Sequence, residues 1–483
     1  MEIVDIRIHP QVTPPLDPGF VPASLWNRAY LAAVQQSGRA QPLAIALERA
    51  DGSVSVYHTQ CFPHEGDYVA LNERYVERLV KFLLWQKGGY KITLAGDPRI
   101  AAFIQRVYSP SGPRAFDFHF MGERVYGAVM VVQGVSYEQV PDERETAAAL
   151  GRHLDGCRIG FDLGGSDRKC AAVIDGEVVH SEEVPWDPYF QKDPQYHFDG
   201  INDTLKRAAA KLPRVDAIGG SAAGVYVNNE VRVASLFRGV PPDVFATRVR
   251  RLFFELKEAW GGVPFEVVND GEVTALAGSM ALGDNAVLGV SMGTSQAGGY
   301  VTPQGNITNW LNELAFAPVD YRADAPVDEW SGDGGVGAQY FSQQAVNRLL
   351  PAAGIELPSA MPLAEKLAEV QRLMEQGDPR ARRIFETIGV YFGYAIAQYA
   401  SFYDLKHLLV LGRVTSGEGG DVILSGARKV LAQEFPALAE AIQIHTPDEK
   451  QKRHGQAVAA ASLPAIPKPA PGQSNHSREE STR

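Results

Sequence analysis

The chain has 483 residues, 45% of them hydrophobic, which is enough apolar material for two to four domains with sizeable cores. A formal net charge of −11, with lysines and arginines scattered along the chain, argues against a nucleic-acid-binding surface. The three cysteines, Cys61, Cys157 and Cys170, are too isolated for a disulfide scaffold and read as buried thiols; with no secretory pattern and no 18-residue apolar run, a cytoplasmic protein without membrane contact is expected.

Residues 1–145 read as an α/β region of unassigned role. The proline-rich opening has too many prolines for a core strand or helix and is expected to wrap the surface. Pro42 to Phe62 alternates apolar and polar residues on both sides of Asp51-Gly52, a hairpin signal. Helical periodicity follows from Asn72 to Gln86, then the strand YKITLAG and the helix PRIAAFIQRVY. This stretch resembles in outline HLLVLGRVTSGEGGDVILSGARKVL near the C-terminus, so it reads either as a partial copy of that unit or as an unrelated α/β extension. No basic recognition helix follows the hairpin, which disfavours a DNA-binding repressor.

The chemistry-bearing residues come later, in two separated turns and one strand–helix junction. In RIGFDLGGSDRKCAAVIDGEVV a strand ends in Asp162, turns through Gly164, Gly165 and Ser166, and returns; the tip can hold phosphate on backbone amides while Asp162 reaches a hydrated Mg²⁺. The aromatic stretch VPWDPYFQKDPQYHFDG then reads as a packed surface excursion in preference to an inserted loop near the cleft, with His197 a surface or packing histidine, before the helix INDTLKRAAAKL. The helix ATRVRRLFFELKEAW leads into PFEVVND, where Asn269 and Asp270 stand at the mouth of a sheet. There a carboxylate can accept a hydroxyl proton or cap the following helix, and the two roles can coexist. The strand Ala286 to Ser291 opens into a second glycine–hydroxyl turn with Gly293, Thr294 and Ser295. Two phosphate turns around a candidate base suggest phosphoryl transfer. Tyr391, Tyr394, Tyr399 and Tyr403 read as core packing rather than a base-stacking platform, and residues 466–483 as a disordered tail.

FDLGGS, VVNDGEVTALAG and VSMGTSQAGG, in this order, resemble the phosphate loops and catalytic segment of the sugar kinase, actin and chaperone ATPase superfamily, and within it the ROK sugar kinases and repressors, over roughly Asp155 to Ala461. The resemblance implies a two-lobed, ribonuclease H-like α/β fold, with a first lobe of 155–268 plus 447–465, a second lobe of 269–446 and an appended N-terminal α/β region. It implies Asp270 as the base, Asn269 and Glu313 as contacts to substrate hydroxyls, and Gly224 where the family has a Pro-Gly turn into the sugar site; the contacts beyond it, Ser235 to Arg238 among them, stay unassigned. It further implies that Gly412 lies against the nucleotide, although Arg413 replaces the usual second glycine. The family's zinc-binding His and three Cys are replaced by Phe316, Ser331, Asp333 and Ala338, so no zinc site is expected. Tyr340 replaces a second sugar-binding Glu, so the pocket is expected to prefer a different polyol.

The resulting expectation is ATP- and Mg²⁺-dependent phosphorylation of a hydroxyl on a sugar, sugar derivative or cyclitol. A non-catalytic carbohydrate-sensing protein that keeps the same fold is the alternative, and homodimerisation is left open.

Overall fold

The computed structural model describes residues 6–145, 150–446 and 449–467. From residue 468 onward, the expected tail lies outside the described residues.

Three main sheets carry the architecture. The first has strands β1 (Gln41–Glu48), β2 (Val54–Cys61), β3 (Lys91–Ala95) and β4 (Val131–Val135), in the order β2-β1-β3-β4. Strands β1 and β2 form the expected hairpin around Asp51-Gly52, where Gly52 takes φ +80° and the Asp51 carboxylate accepts the Ser53 N–H at 2.9 Å. The second sheet has β5 (Cys157–Leu163), β6 (Asp167–Ile174), β7 (Glu177–Pro185) and β8 (Ala217–Ala222), flanked by a small hairpin of β9 (Val225–Val227) and β10 (Glu230–Val233). With β11 (Phe265–Asn269) at one edge, its order is β11-β8-β5-β6-β7. Strands β5, β8 and β11 are parallel, and so bring the C-terminal ends of three strands to one rim. The third sheet, β13-β12-β14-β15, consists of β12 (Val287–Met292), β13 (Gln296–Val301), β14 (His407–Leu411) and β15 (Gln443–His445). The last helix, Glu449–Ala461, returns to pack on β5 and β8.

Several sequence expectations are corrected by tertiary contacts. The N-terminal sheet has the same strand order as the third sheet, but its central pair is antiparallel where β12 and β14 are parallel. The N-terminal region therefore does not repeat the strand pairing of the third sheet. Its proline-rich opening is more than a surface wrap. Val12 and Phe20 are buried in the core around the Pro379–Tyr399 helix, and Asp17 pairs with Arg322 (2.6 Å) and accepts from the Tyr391 hydroxyl (2.5 Å). The helix expected at 201 begins at Pro194, capped by the Asp193 carboxylate, so much of the aromatic excursion is helical. His197 within it is fully buried. All three cysteines are buried and free, and the four tyrosines are buried with each hydroxyl hydrogen-bonded. Among the described residues no helix is long and apolar enough to cross a membrane.

A buried ionic cluster fastens the N-terminal unit to the third-sheet half. On the Tyr68–Lys87 helix, Lys81 Nζ donates to both Asp117 carboxylate oxygens (2.7 and 2.8 Å) and lies 3.3 Å from Asp333. Arg78 also approaches Asp333 (3.4 Å), Arg114 pairs with both Asp333 and Glu77, and the Trp85 indole N–H donates to Asp117 at 2.7 Å. Lys81 is wholly buried, and removing its charge leaves Asp117 without a countercharge, while Asp333 keeps Arg78 and Arg114. Lys81→Met is expected to lower stability by about 3–5 kcal/mol, read as an earlier denaturant midpoint, and adding Asp117→Asn should restore part of the loss.

Candidate active site

The rim of the second sheet meets the start of the third-sheet half at Asn269 and Asp270. The helix Asp270–Leu282 begins directly after β11, and its N-cap is Asn269: the Gly271 N–H donates to Asn269 Oδ1 at 2.7 Å. The capping role considered for Asp270 thus falls to its neighbour, and Asp270 occupies the first helical position. Asn269 Nδ2 donates to the Gly224 carbonyl at 2.7 Å, which ties the junction to the turn after β8. Gly224 has φ +135°, and a Cβ there would meet the Val233 carbonyl at 2.4 Å, so only glycine fits.

The carboxylates around this junction form an electrostatically linked row. Burial, and then the nearby Asp162, push Asp270 up to about 6. Burial and Asp270 raise Glu313 to about 7. Glu272, buried and next to Glu313, rises to about 8 although it accepts from Asn312 Nδ2 (2.5 Å) and the Tyr300 N–H (3.1 Å). Burial also raises Asp162, opposed by Lys169, whose ammonium lies 3.8 Å away and 3.1 Å from Asp167. The structure therefore gathers Asp162, Asn269, Asp270, Glu313 and Gly224 into one region. Such a row of raised acids is the pattern expected where protons are held or a cation is bound.

Both turns present backbone donors. In Gly164–Ser166 the Gly164 N–H bonds to the Asp167 carbonyl (2.9 Å), while the Gly165 and Ser166 amides have no acceptor among the described residues. In Gly293–Ser295 the Gly293 N–H bonds to the Ser295 carbonyl (2.9 Å), and the Thr294 and Ser295 amides are likewise without one; both residues are exposed. Two adjacent unpaired amides on a tight turn can donate to an anion such as phosphate. Gly412, after β14, lies against the second turn: a Cβ there would be 2.3 Å from the Met292 carbonyl, so its glycine is required by this close approach. The donor set fits a nucleotide with Mg²⁺: two turns offering amides to phosphate oxygens, and a pair of partly buried carboxylates, Asp162 and Asp270, whose mutual repulsion a divalent cation relieves.

Glu313 is positioned by the N-terminal unit. The Asn312 and Glu313 N–H groups donate to the carbonyls of Gln86 (2.9 Å) and Trp85 (3.0 Å), at the C-terminal end of the Tyr68–Lys87 helix. Carbonyls at a helix end lack intrahelical donors, so both partners gain. Asn312 is held in turn by the Tyr403 hydroxyl at 2.8 Å. The positions that carry zinc ligands in the family are filled differently. Phe316 packs on Trp85 and Trp330, Ser331 donates to Asp328, Asp333 joins the ionic cluster and Ala338 is buried. Tyr340 is buried, with its hydroxyl on Asp320 (2.7 Å), and lies in the core of the third-sheet half.

Sequence reasoning missed Glu272, Asn312, Lys169 and the carbonyls of Trp85 and Gln86. Glu272 alone left a local sign, a carboxylate in the first turn of a helix otherwise built of small and apolar residues.

At the level of sequence, no family profile matches the chain and no curated protein is significantly similar to it. Solved structures are more informative. The ROK hexokinase of Thermus thermophilus superposes with a TM-score of 0.50 at 20% identity, over 63% of this chain and 97% of that one. The chain has the ROK fold. A ROK family transcriptional regulator, a homolog of the E. coli MLC protein, also superposes with a TM-score of 0.50, at 18% identity over 64% of this chain and 78% of that one. The ROK fold is thus shared here with both a kinase and a regulator.

Glu272 provides a test of the carboxylate row. Its folded value, about 8, lies above that of an unfolded glutamate near 4.3, so the folded chain binds the extra proton between those values and loses stability as pH rises through that window. In melts from pH 5 to pH 9, Glu272→Gln is expected to show a smaller fall in Tm than the parent protein.

Proposed function

We propose that the protein is a carbohydrate or cyclitol kinase that transfers the terminal phosphoryl group of ATP to a hydroxyl of its acceptor. The observation that carries this reading is Asp270, a partly buried carboxyl raised to about 6 by burial and by Asp162, in a chain whose two glycine turns each present two unpaired amides. Near neutral pH it is ionised yet basic enough to accept a hydroxyl proton.

In this reading Asp162 and the two turns hold the nucleotide and its Mg²⁺, with Gly412 backing the second turn. That ligand supplies the activated phosphoryl group and the cation that neutralises its charge. Asp270 orients the acceptor hydroxyl and takes its proton. Glu313, anchored through its backbone N–H to Trp85 and through that of Asn312 to Gln86, accepts from a second hydroxyl. Asn269 has its amide oxygen and one N–H committed to Gly271 and Gly224, which leaves one N–H for the acceptor. The amides of Gly165, Ser166, Thr294 and Ser295 stabilise charge on the moving phosphoryl group. The acceptor is a small polyol, and a cytoplasmic site of action is part of the proposal.

One observation favours a second reading, a non-catalytic carbohydrate sensor: Lys169 stands 3.8 Å from Asp162, where a cation-binding carboxylate is needed.

ADP release with Mg·ATP across a panel of hexoses, N-acetylated sugars, sugar acids and inositols separates the two. One acceptor is expected to raise turnover well above the acceptor-free rate, and Asp270→Asn to reduce that rate by about 10²–10⁴-fold. Because the base works only when ionised, kcat/KM should rise with pH through about 6 and then level off. Sugar binding by calorimetry without turnover on any acceptor would support the sensor instead.

A further inference from the structure

Beside the first turn stands a group that the mechanism above leaves unused. Arg238 is exposed, and its guanidinium lies 4.0 Å from the centre of the Tyr189 ring and 5.0 Å from that of Phe190. Among the described residues no carboxylate pairs with it. Tyr189 extends to the turn itself, since a Cβ on Gly165 would meet the Tyr189 hydroxyl at 2.0 Å. One ring therefore bridges the guanidinium and the Gly164–Ser166 turn.

The arrangement is fixed by buried groups. The turn is held from the same stretch, with the Trp186 indole N–H donating to the Gly164 carbonyl (2.8 Å) and its backbone N–H to the Ser166 carbonyl (3.1 Å). His197 Nε2–H donates to the carbonyls of Pro188 (3.1 Å) and Leu236 (3.0 Å), locking the segments that carry Tyr189 and Arg238 to each other. Burial holds that imidazole below its ordinary value, so it stays neutral. Gly239 lets the two backbones touch, because a Cβ there would be 2.7 Å from the Gln191 carbonyl. Phe190 is 73% exposed, an unusual placement for phenylalanine that is accounted for by its contact with the guanidinium. Stacking uses the face of a guanidinium and leaves its N–H edge for an acceptor.

We propose that Arg238 is an oxyanion-binding residue at the phosphate end of the cleft, pre-positioned by Tyr189 and Phe190. The ligand chemistry is a phosphate or carboxylate that can take two N–H donors from one planar group. It has two sources: the terminal phosphate of the donor, or an acidic substituent on the acceptor. The inference rests on the reading of Gly164–Ser166 as a phosphate turn.

Calorimetry on the full chain tests it with inorganic tripolyphosphate, the non-hydrolysable ATP analogue AMPPNP with Mg²⁺, and D-glucuronate set against D-glucose. Arg238→Gln is expected to weaken at least one anionic probe about tenfold, the loss of one charge-assisted contact. Arg238→Lys should recover only part, because a point charge lacks the fork, and Tyr189→Leu should weaken the same probe less. Loss on tripolyphosphate and AMPPNP assigns the contact to the donor, and loss confined to glucuronate assigns it to the acceptor. If the parent protein binds the anions and Arg238→Gln binds them equally well, the inference is overturned and the kinase reading survives. If the parent binds none of them, both fall.

Discussion

Two hydrogen bonds between distant parts of the chain set the geometry on which the candidate site depends: the amides of Asn312 and Glu313 on the terminal carbonyls of the Tyr68–Lys87 helix. Glu313 sits in a segment with little regular structure of its own, after a residue, Asn312, at φ +51°. A non-glycine residue in that conformation needs its surroundings to hold it there. The helix end supplies two acceptors, Tyr403 and Glu272 engage the Asn312 side chain, and Trp85 packs on Phe316 three residues beyond Glu313. The N-terminal unit is thus part of the scaffold around the site. Its helix is in turn fixed by Lys81, Arg78 and Asp333, the last of these in the loop where the family carries a metal. Charge pairing fastens this loop from outside the ROK-like body.

The same constraint explains the carboxylate row. Bringing Glu313 onto the helix end places it beside Asp270 and Glu272 in a buried region, where repulsion and desolvation act in one direction and push all three upward. Such a cluster is destabilising in isolation. It persists because the backbone contacts that create it also satisfy a helix terminus. Glu272, the most strongly raised of the three, has both oxygens in contact with fixed donors, so it serves the frame, while the hydrogen bond that the Asp270 carboxylate accepts comes from the adjacent Gly271 N–H.

What was legible in the sequence was local. The Asp51-Gly52 hairpin, the two glycine–hydroxyl turns and the strand–helix junction at Asn269-Asp270 are each written within ten residues, because the backbone geometry they need restricts composition at those positions. The pairing of Lys81 with Asp333, 252 residues apart, leaves no such trace. Lys81 and Arg78 on a helix look like a solvated face until the partner is known. The direction of the β1–β3 pairing was equally hidden, since strand order and connection lengths are compatible with either orientation. From sequence His197 is a surface or packing residue, and its two carbonyl partners appear only once the helix beginning at Pro194 brings it against both segments.

Lys169 and Lys81 show how the same side chain has opposite consequences. Lys81 is fully buried and bonded at 2.7 Å, so moving it exposes uncompensated charge at a cost of several kcal/mol. Lys169 is one third exposed, and at 3.8 Å from Asp162 it is beyond hydrogen-bond range. A pair of that kind contributes roughly 0–1 kcal/mol. Swinging Lys169 toward solvent therefore costs little, and it retains Asp167 as a nearer partner. Asp162, partly buried near Asp270, has more to gain from a divalent cation than from a distant ammonium, because the cation would offset both carboxylates together. On that balance the position of Lys169 is a weak argument for a sensor, and the paired carboxylates are the stronger argument for the proposed kinase.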